Sequence, residues 1–292
     1  MKYFKHFIEF ITFYISVSLL KCLPNQWVLF ILQHLFFLVG YVIGIRKKNV
    51  LFQLKLVFPE KDEQEIIKLA KRVYSELAIT SAEVFVFNND YFNNRIEVVG
   101  LDNVNNALKL GHGAIIVTAH FSNWELGARV LTSEFKEAYT IVKKQSNLFF
   151  NNYIEKKRLK LGIKTIEMKN AMRGVLHALK KNHVVAFIID QYAFKQGIEL
   201  DFLGHKTRSY SSVAQLAIKY KVPIIPAFIV RDDERKSRLI FHNPLIYENL
   251  QYTNENITHV TGDINKYIEE YIRRYPHLWF WVHKKWRTRK SI

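Results

Sequence analysis

A histidine and a glutamate stand five positions apart in the segment Ala114-Ile-Ile-Val-Thr-Ala-His-Phe-Ser-Asn-Trp-Glu125. The apolar residues before His120 predict a strand, and Ser122 or Asn123 is suited to cap a helix that follows. Across a loop and a first helical turn, Glu125 can approach the imidazole of His120. A carboxylate in that position fixes the tautomer of the ring and stabilises the imidazolium that forms when a hydroxyl is deprotonated. The segment therefore indicates a site at which an alcohol attacks a thioester.

Other kinds of catalytic chemistry find less support in the sequence. There is no G-x-S-x-G segment to present a nucleophile, so direct transfer without an acyl-enzyme is the simpler interpretation. Cys22 is the single cysteine, which excludes an intramolecular disulfide and a cysteine-based metal cluster. The sequence shows no convincing set of ligands for a metal, and we expect no metal site.

Composition and charge describe a folded, basic protein. The chain has 292 residues, of which 49% are hydrophobic, so it can bury a sizeable core. Its net charge of +17 favours an acidic partner, and nucleic acid, anionic lipid headgroups or an acidic carrier protein would each fit. A solvated, lysine-rich surface gives the same charge without any partner.

The first 45 residues form a hydrophobic block. Residues 7–20 and 27–45 are apolar runs near the minimum length for spanning a bilayer, and Pro24 separates them. We predict that one run is a membrane anchor and that the other lies at the interface or packs on the domain; two ordinary core helices are the alternative. The cluster Arg46-Lys47-Lys48 favours a cytoplasmic location for the rest of the chain.

The remaining residues, 46–292, are predicted to form one α/β domain. Residues 46–90 have a helical pattern, and strands and helices alternate from about residue 95. Such alternation predicts a mostly parallel sheet flanked by helices, following the N-terminal hydrophobic membrane-anchoring segment of residues 1–45. The predicted strands are 96–99, 114–118, 139–142, 164–167, 184–190, 224–230 and 238–242, and the predicted helices are 123–131, 148–161, 171–181, 211–220 and 263–274.

Several motifs together resemble one protein family. His-Phe-Ser-Asn-Trp-Glu is similar to the H-x-x-N-W-E signature of the bacterial lipid A late acyltransferases (lauroyl and myristoyl transferases), a branch of the lysophospholipid acyltransferase superfamily with its H-x4-D/E motif. The resemblance covers nearly the whole chain, because other family motifs follow in the same order. They include Arg46-Lys-Lys-Asn-Val50, a basic helix with Arg158, Ile188-Ile-Asp-Gln191, Asp201-Phe-Leu-Gly204 and Trp281-Val-His-Lys-Lys-Trp286.

This resemblance implies transfer of an acyl chain from acyl-acyl-carrier protein to a hydroxyl of a lipid A precursor, at the cytoplasmic face of the bacterial inner membrane. It implies that His120 is the general base and Glu125 its orienting partner, while Arg158 and Asp190 position the acceptor or stabilise developing charge. It implies no metal and no dissociable cofactor. The residues expected to bind substrate are Asn123, Trp124, Lys143, Gln191 and Arg208.

The chain departs from the family pattern at two places. Ser122 replaces the usual glycine, which a helix cap tolerates, and Val142-Lys143-Lys144 replaces a Tyr-Arg-Pro segment. The second change keeps positive charge but loses the guanidinium fork, which puts the assignment of substrate contacts there in doubt.

Three other readings of the sequence stay open. The acceptor could be a lysophospholipid or another glycolipid, or the protein could be an inactive relative that keeps the fold as a scaffold. From a different class, a basic nucleic-acid-binding protein is permitted by the charge, although no nucleic-acid-binding motif is present and we expect no nucleic acid as partner.

The aromatic C-terminal segment has two interpretations. It contains basic residues that include Lys284, Arg287 and Arg289, and it either stacks on bases or packs on the domain with its cations toward a membrane.

Overall fold

The computed structural model describes residues 2–286, so Arg287 and Arg289 lie outside the described residues. A seven-stranded sheet is its centre, with the order β1-β9-β8-β2-β5-β3-β4. Five neighbouring strands from β8 to β4 are parallel, and β9 and β1 run in the opposite direction. The strands are β1 (Ile96–Val99), β2 (Ala114–Thr118), β3 (Ala138–Val142), β4 (Lys164–Glu167), β5 (Val184–Ile188), β8 (Ile224–Arg231) and β9 (Ser237–Phe241).

Two further strands, β6 (Ile198–Phe202) and β7 (His205–Ser209), form a separate antiparallel hairpin. Leu203 and Gly204 connect them with positive φ angles of 53° and 84°, the backbone of a two-residue turn that matches strand twist. The sequence motif around this turn was identified, but its two strands were not predicted. Their alternation of partly buried and exposed residues is confined to five positions each, a short signal.

Helices cover both faces of the sheet because side chains alternate along each strand. On β2, Ile115 and Val117 join the larger core cluster, whereas Ala114 and Ile116 join a second cluster on the other face. The helices are α1 (Lys2–Leu20), α2 (Asn25–Phe36), α3 (Lys47–Val57), α4 (Glu63–Phe85), α5 (Leu101–Leu108), α6 (Trp124–Glu134), α7 (Leu148–Lys160), α8 (Ala171–Lys180), α9 (Ser212–Tyr220) and α10 (Asn254–Arg274).

The predicted α/β class with a mostly parallel sheet is confirmed, and the differences are local. Helix α5 was not predicted, and α10 begins at Asn254 rather than near residue 263. Strand β5 ends at Ile188, two residues earlier than predicted, which leaves Asp190 in the loop beyond the strand.

The N-terminal helices pack on the domain through one side each. Helix α1 lies on α7, where the rings of Phe13 and Phe150 are 4.9 Å apart. Helix α2 lies along α4, and a π-helical segment, Phe37–Val42, continues it. Within that segment a methyl group at Gly40 would lie 2.2 Å from the Tyr74 ring, so the close approach requires glycine.

Among the described residues, one stretch is long and apolar enough to cross a membrane, Asn25–Val42, and 22% of it is buried. This stretch is the N-terminal apolar candidate for a membrane anchor that the sequence predicted. Most of the exposed large hydrophobic side chains of the described residues also belong to the N-terminal segment, between Tyr3 and Phe52. An apolar outer surface therefore covers the side of the molecule that α1 and α2 form.

Candidate active site

His120 and Asp190 are brought together by the pairing of two adjacent parallel strands. Thr118 at the end of β2 lies opposite Ile188 at the end of β5. His120 lies two positions after Thr118, and Asp190 lies two positions after Ile188. The Nδ1 atom of His120 is 2.8 Å from Oδ1 of Asp190. The other oxygen, Oδ2, accepts a hydrogen bond of 2.8 Å from Nε1 of Trp279. Both oxygens of this buried carboxylate therefore have a partner.

The Asp190 carboxylate stays ionised in its buried position. Burial by itself would raise its pKa, but the charge on His120 and the hydrogen bonds from His120 and Trp279 hold the pKa below its ordinary value. The buried ammonium of Lys285 acts in the same direction. An ionised carboxylate can only accept, so Nδ1 of His120 carries a hydrogen, and in the neutral form of the ring Nε2 is the nitrogen with a lone pair.

Glu125 makes its hydrogen bonds with Arg158, not with His120. The Nε atom of Arg158 donates to Oε2 of Glu125 at 3.0 Å, and Nη2 donates to Oε1, so the pair is bidentate. From the sequence we expected Glu125 to orient His120, whereas in the structure the hydrogen bond at Nδ1 is with Asp190. The physical reason is the strand order, which places the end of β5 beside the end of β2.

The amide of Asn123 is used within the protein. Its oxygen caps α6 by accepting from the N–H of Leu126 at 3.0 Å, and its nitrogen donates to Glu83 at 2.9 Å. Asn123, and not Ser122, is therefore the cap, and the side chain expected to bind substrate instead positions the helix that carries Glu125.

A buried ion-pair network holds Glu83 in place. Arg231 of β8 donates to both oxygens of Glu83 and, at 2.7 Å, to Glu76. The side chains of Arg231 and Glu83 are each 1% exposed, so the charges compensate each other out of contact with water. Thr80, which also accepts from Arg231, donates to the carbonyl of Ser122 at 3.4 Å. The network thus supports the loop that follows His120.

The C-terminal segment pairs with the same loop from the other side. The N–H of Ser122 donates to the carbonyl of Leu278 at 2.8 Å, and the N–H of Phe280 donates to the carbonyl of His120 at 3.0 Å. The rings of Trp124 and Phe280 lie 5.0 and 5.9 Å from the His120 ring. His120 is therefore fixed by its backbone as well as by its ring, and the aromatic C-terminal segment packs on the domain.

A cavity of about 1740 Å³ opens at this site. It exceeds the roughly 300–1,000 Å³ of pockets for drug-sized ligands. Of the residues predicted from the sequence, those in its wall are His120, Asn123, Trp124, Glu125, Lys143, Arg158 and Gln191. Arg208 is not among the wall residues. It donates a hydrogen bond to the carbonyl of Gly197 and so stabilises the start of the β6–β7 hairpin.

One arm of the cavity lies between α6 and the sheet. Apolar side chains line it, among them Ile116, Ile229 and Leu239 on the strands and Leu131 on the helix. Gly127 faces this arm, because a methyl group added there would lie 3.9 Å from Leu239 and 4.0 Å from Ile229. The arm therefore has the chemistry of a hydrocarbon-binding site.

Three residues that support the site were not predicted from the sequence. They are Trp279, which belongs to the aromatic C-terminal segment, and Glu83 and Arg231. A charged residue at the end of an apolar strand, such as Arg231 after residues 224–230, is the signal that could have indicated a buried ion pair.

Ser122 occupies a backbone conformation that suits glycine. Its φ is 48°, and its buried hydroxyl has no hydrogen-bond partner among the described residues. We predict that Ser122→Gly stabilises the protein by about 1 kcal/mol, because the left-handed strain disappears. Thermal unfolding of the purified protein in detergent measures the change.

The matched control is Asn182→Gly, at a φ of 60°. The Asn182 side chain accepts from the N–H of Gly113 and donates to the carbonyl of Leu108, so its removal should lower stability. Stabilisation by both substitutions, or by neither, would contradict the explanation.

The buried network yields a second prediction. Arg231→Met should cost about 3–5 kcal/mol of stability, because two carboxylates are left without their partner in the interior. Arg238→Met is the comparison, since Arg238 pairs with Glu97 at the surface, where the side chains are 57% and 59% exposed. That loss should be small, because water and salt screen an exposed ion pair. Urea unfolding of the two variants measures the difference, and equal losses would refute the assigned role of Arg231.

The sequence matches the protein family described as bacterial lipid A biosynthesis acyltransferase over residues 1–288. The chain is 25% identical to a lipid A biosynthesis palmitoleoyltransferase of Escherichia coli (strain K12) over 84% of this chain and 79% of that protein. It is 22% identical to a lipid A biosynthesis lauroyltransferase of the same strain, over 84% of this chain and 80% of that protein. It is also similar to a phosphatidylinositol mannoside acyltransferase of Mycolicibacterium smegmatis, with 20% identity over 66% of this chain and 62% of that protein.

The family resemblance drawn from the motifs is thereby confirmed. The match extends over nearly the whole chain and includes the strands and helices that form the site. The chain belongs to the bacterial lipid A biosynthesis acyltransferase family and is an O-acyltransferase.

Proposed function

We propose that this protein moves a fatty acyl chain from the thioester of an acyl-acyl-carrier protein to a hydroxyl of a lipid A precursor. The observation that carries the proposal is the hydrogen bond between His120 Nδ1 and Asp190, which leaves Nε2 as a base in the wall of a large cavity. Membership of the family supports acyl transfer in lipid A biosynthesis. The identities of donor and acceptor are the parts that we infer.

The proton moves through His120 in both halves of the reaction. Nε2 takes the proton of the acceptor hydroxyl while that oxygen forms a bond to the thioester carbonyl carbon. Asp190 stabilises the imidazolium that results. The tetrahedral intermediate then breaks its carbon–sulfur bond, and the thiolate leaves with the proton from Nε2. The products are an ester and a free thiol, and no acyl-enzyme forms.

Arg158 is placed to stabilise negative charge in the cavity. Glu125 uses two of the five N–H groups of the guanidinium, and the other three can donate to an oxyanion or to a phosphate. We assign Glu125 to holding Arg158 in this orientation. Lys143 adds a further cation to the wall, and Trp124 and Gln191 complete the polar and aromatic surroundings of His120.

A second kind of lipid is also a candidate for the acceptor. The similarity to a phosphatidylinositol mannoside acyltransferase favours another glycolipid as the alternative to a lipid A precursor. Both acceptors are membrane lipids, and the exposed apolar side chains between Tyr3 and Phe52 suit a protein that works on a bilayer. We place the protein at the inner membrane, with the domain on the cytoplasmic side because of the cluster Arg46-Lys47-Lys48.

The first test of the mechanism changes the two residues of the hydrogen-bonded pair. Purified protein in detergent is mixed with acyl-acyl-carrier proteins and a tetra-acylated lipid A precursor, and product mass is measured. We expect the native protein to add one acyl chain. His120→Ala and Asp190→Asn should each lower kcat by about 10²–10⁴-fold, because the base is absent or loses its orienting carboxylate.

Asp201→Asn is the control, because Asp201 lies exposed in the hairpin outside the cavity wall. It should leave kcat unchanged. Full turnover by His120→Ala would disprove the assigned base, while product formed only with a mannosylated glycolipid or a lysophospholipid would identify the alternative acceptor.

The apolar arm under α6 provides a prediction about chain length. Gly127→Ala places a methyl group in the arm without a close contact, so the variant should fold and prefer a shorter donor. One methylene in an apolar pocket is worth about 1–3 kcal/mol, and we expect the ratio of kcat/KM between adjacent even-numbered donors to shift by at least about tenfold. Competition between acyl donors of different length measures the ratio.

Gly262→Ala is the matched control. It is also a glycine-to-alanine change within a helix, and no atom lies within 4 Å of the added methyl group. Both substitutions should raise helix stability alike, but Gly262→Ala should leave the donor ratio unchanged. An unaltered ratio in Gly127→Ala would show that the acyl chain lies elsewhere.

A further inference from the structure

The cavity rim beyond β4 and β5 carries exposed apolar side chains beside cations. Parallel strands end at one edge of the sheet, and only β3 lies between these two, so their ends are within about 10 Å of each other. The residues after β4 and those after β5 therefore share one surface. We call this surface the basic rim, and it consists of Met168, Lys169, Met172, Arg173, Phe194 and Lys195.

Its apolar members are exposed although they line the cavity. Met168, Met172 and Phe194 are 48%, 50% and 52% exposed. Met172 lies in the first turn of α8, and Met168 lies in the 3-10 turn Met168–Asn170 that leads into it. Exposed apolar side chains that cluster at a cavity opening indicate a contact surface, and methionine adapts to the shape of a partner.

The six residues of the rim include three cations and no carboxylate. Lys169, Arg173 and Lys195 are exposed, and none of them forms an ion pair with a described residue. Lys143 in the cavity wall adds another positive charge after β3, and Glu167 at the end of β4 is the neighbouring acid. The surface is therefore net positive around a small apolar centre.

We propose that the basic rim is the docking surface for the acidic carrier protein that brings the acyl thioester. This inference rests on the proposed donor and specifies where it binds. An apolar centre with charged surroundings has the anatomy of a protein–protein contact, and its charge is complementary to an acidic partner.

A bilayer fits the rim less well than a protein does. The extended apolar surface that suits a membrane belongs to residues between Tyr3 and Phe52, on helices that pack against α4 and α7. The basic rim belongs instead to the 3-10 turn Met168–Asn170, to the start of α8 and to the segment Phe194–Gln196 before the β6–β7 hairpin. Leu35, Phe36 and Val39 line the cavity from the side of the N-terminal helices. Donor and acceptor can therefore approach His120 from two different segments of the cavity wall.

The experiment compares two double charge reversals on the same helical segment. Lys169→Glu/Arg173→Glu alters the rim, whereas Lys180→Glu/Lys181→Glu alters the exposed opposite end of α8 and changes the net charge equally. Binding of holo-acyl carrier protein to the full-length protein in detergent is measured by fluorescence titration at low salt. We expect about tenfold weaker binding for the rim variant and a change within about twofold for the control.

Turnover separates the docking surface from the reaction. For the rim variant, KM for acyl-acyl-carrier protein should rise with kcat unchanged, while KM for a small acyl thioester without carrier protein stays the same. If the native protein turns over neither acyl-acyl-carrier protein nor the small thioester, but carrier binding is still lost only in the rim variant, the proposed reaction fails and the docking surface stands.

Three results would overturn the docking surface. The native protein could fail to bind the carrier protein, or both double variants could weaken binding equally, which would reflect net charge alone. Alternatively, the rim variant could bind the carrier protein normally and instead lose its attachment to anionic vesicles, which would assign the rim to the membrane.

Discussion

The buried carboxylate of Asp190 is the constraint on which the active site depends. A charge removed from water is stable only where donors replace the lost hydration, and here the imidazole of His120 and the indole of Trp279 supply them. This requirement brings together three segments that are distant in the chain and that contain His120, Asp190 and Trp279. It also fixes the tautomer of His120, so that catalytic geometry and the stability of the buried charge are consequences of the same two hydrogen bonds.

The loop after His120 is held on two sides by interactions of different kinds. On one side, the Arg231 ion pairs position Glu83, which in turn binds the capping side chain of Asn123. On the other side, backbone hydrogen bonds join the loop to residues 278–280. Groups that are held before substrate arrives need no reorganisation during the reaction. The arrangement explains why a strained residue such as Ser122 is tolerated between them.

The sequence was sufficient to predict the fold class, most strands and the position of His120 just beyond a strand, because these follow from periodicity and from the end of an apolar run. It was not sufficient to predict which carboxylate meets the imidazole. Glu125 is near His120 in the chain, but Asp190 is near it in space, because the sheet places β5 beside β2. Strand order is not encoded in local periodicity. The pairing of Arg158 with Glu125 and the network around Arg231 were unpredictable for the same reason, since each joins residues more than 30 positions apart.

The partnership of Trp279 with Asp190 has a consequence for synthesis of the protein. The indole is 89 residues later in the chain than the carboxylate that it supports. At ribosomal rates of about 5–20 residues per second, it emerges roughly 4–18 s after Asp190. During that interval the apolar N-terminal helices have already been synthesised, while the His120–Asp190 pair lacks one of its supports. The apolar surface of α1 and α2 is thus synthesised well before the carboxylate of Asp190 gains its second hydrogen-bond donor.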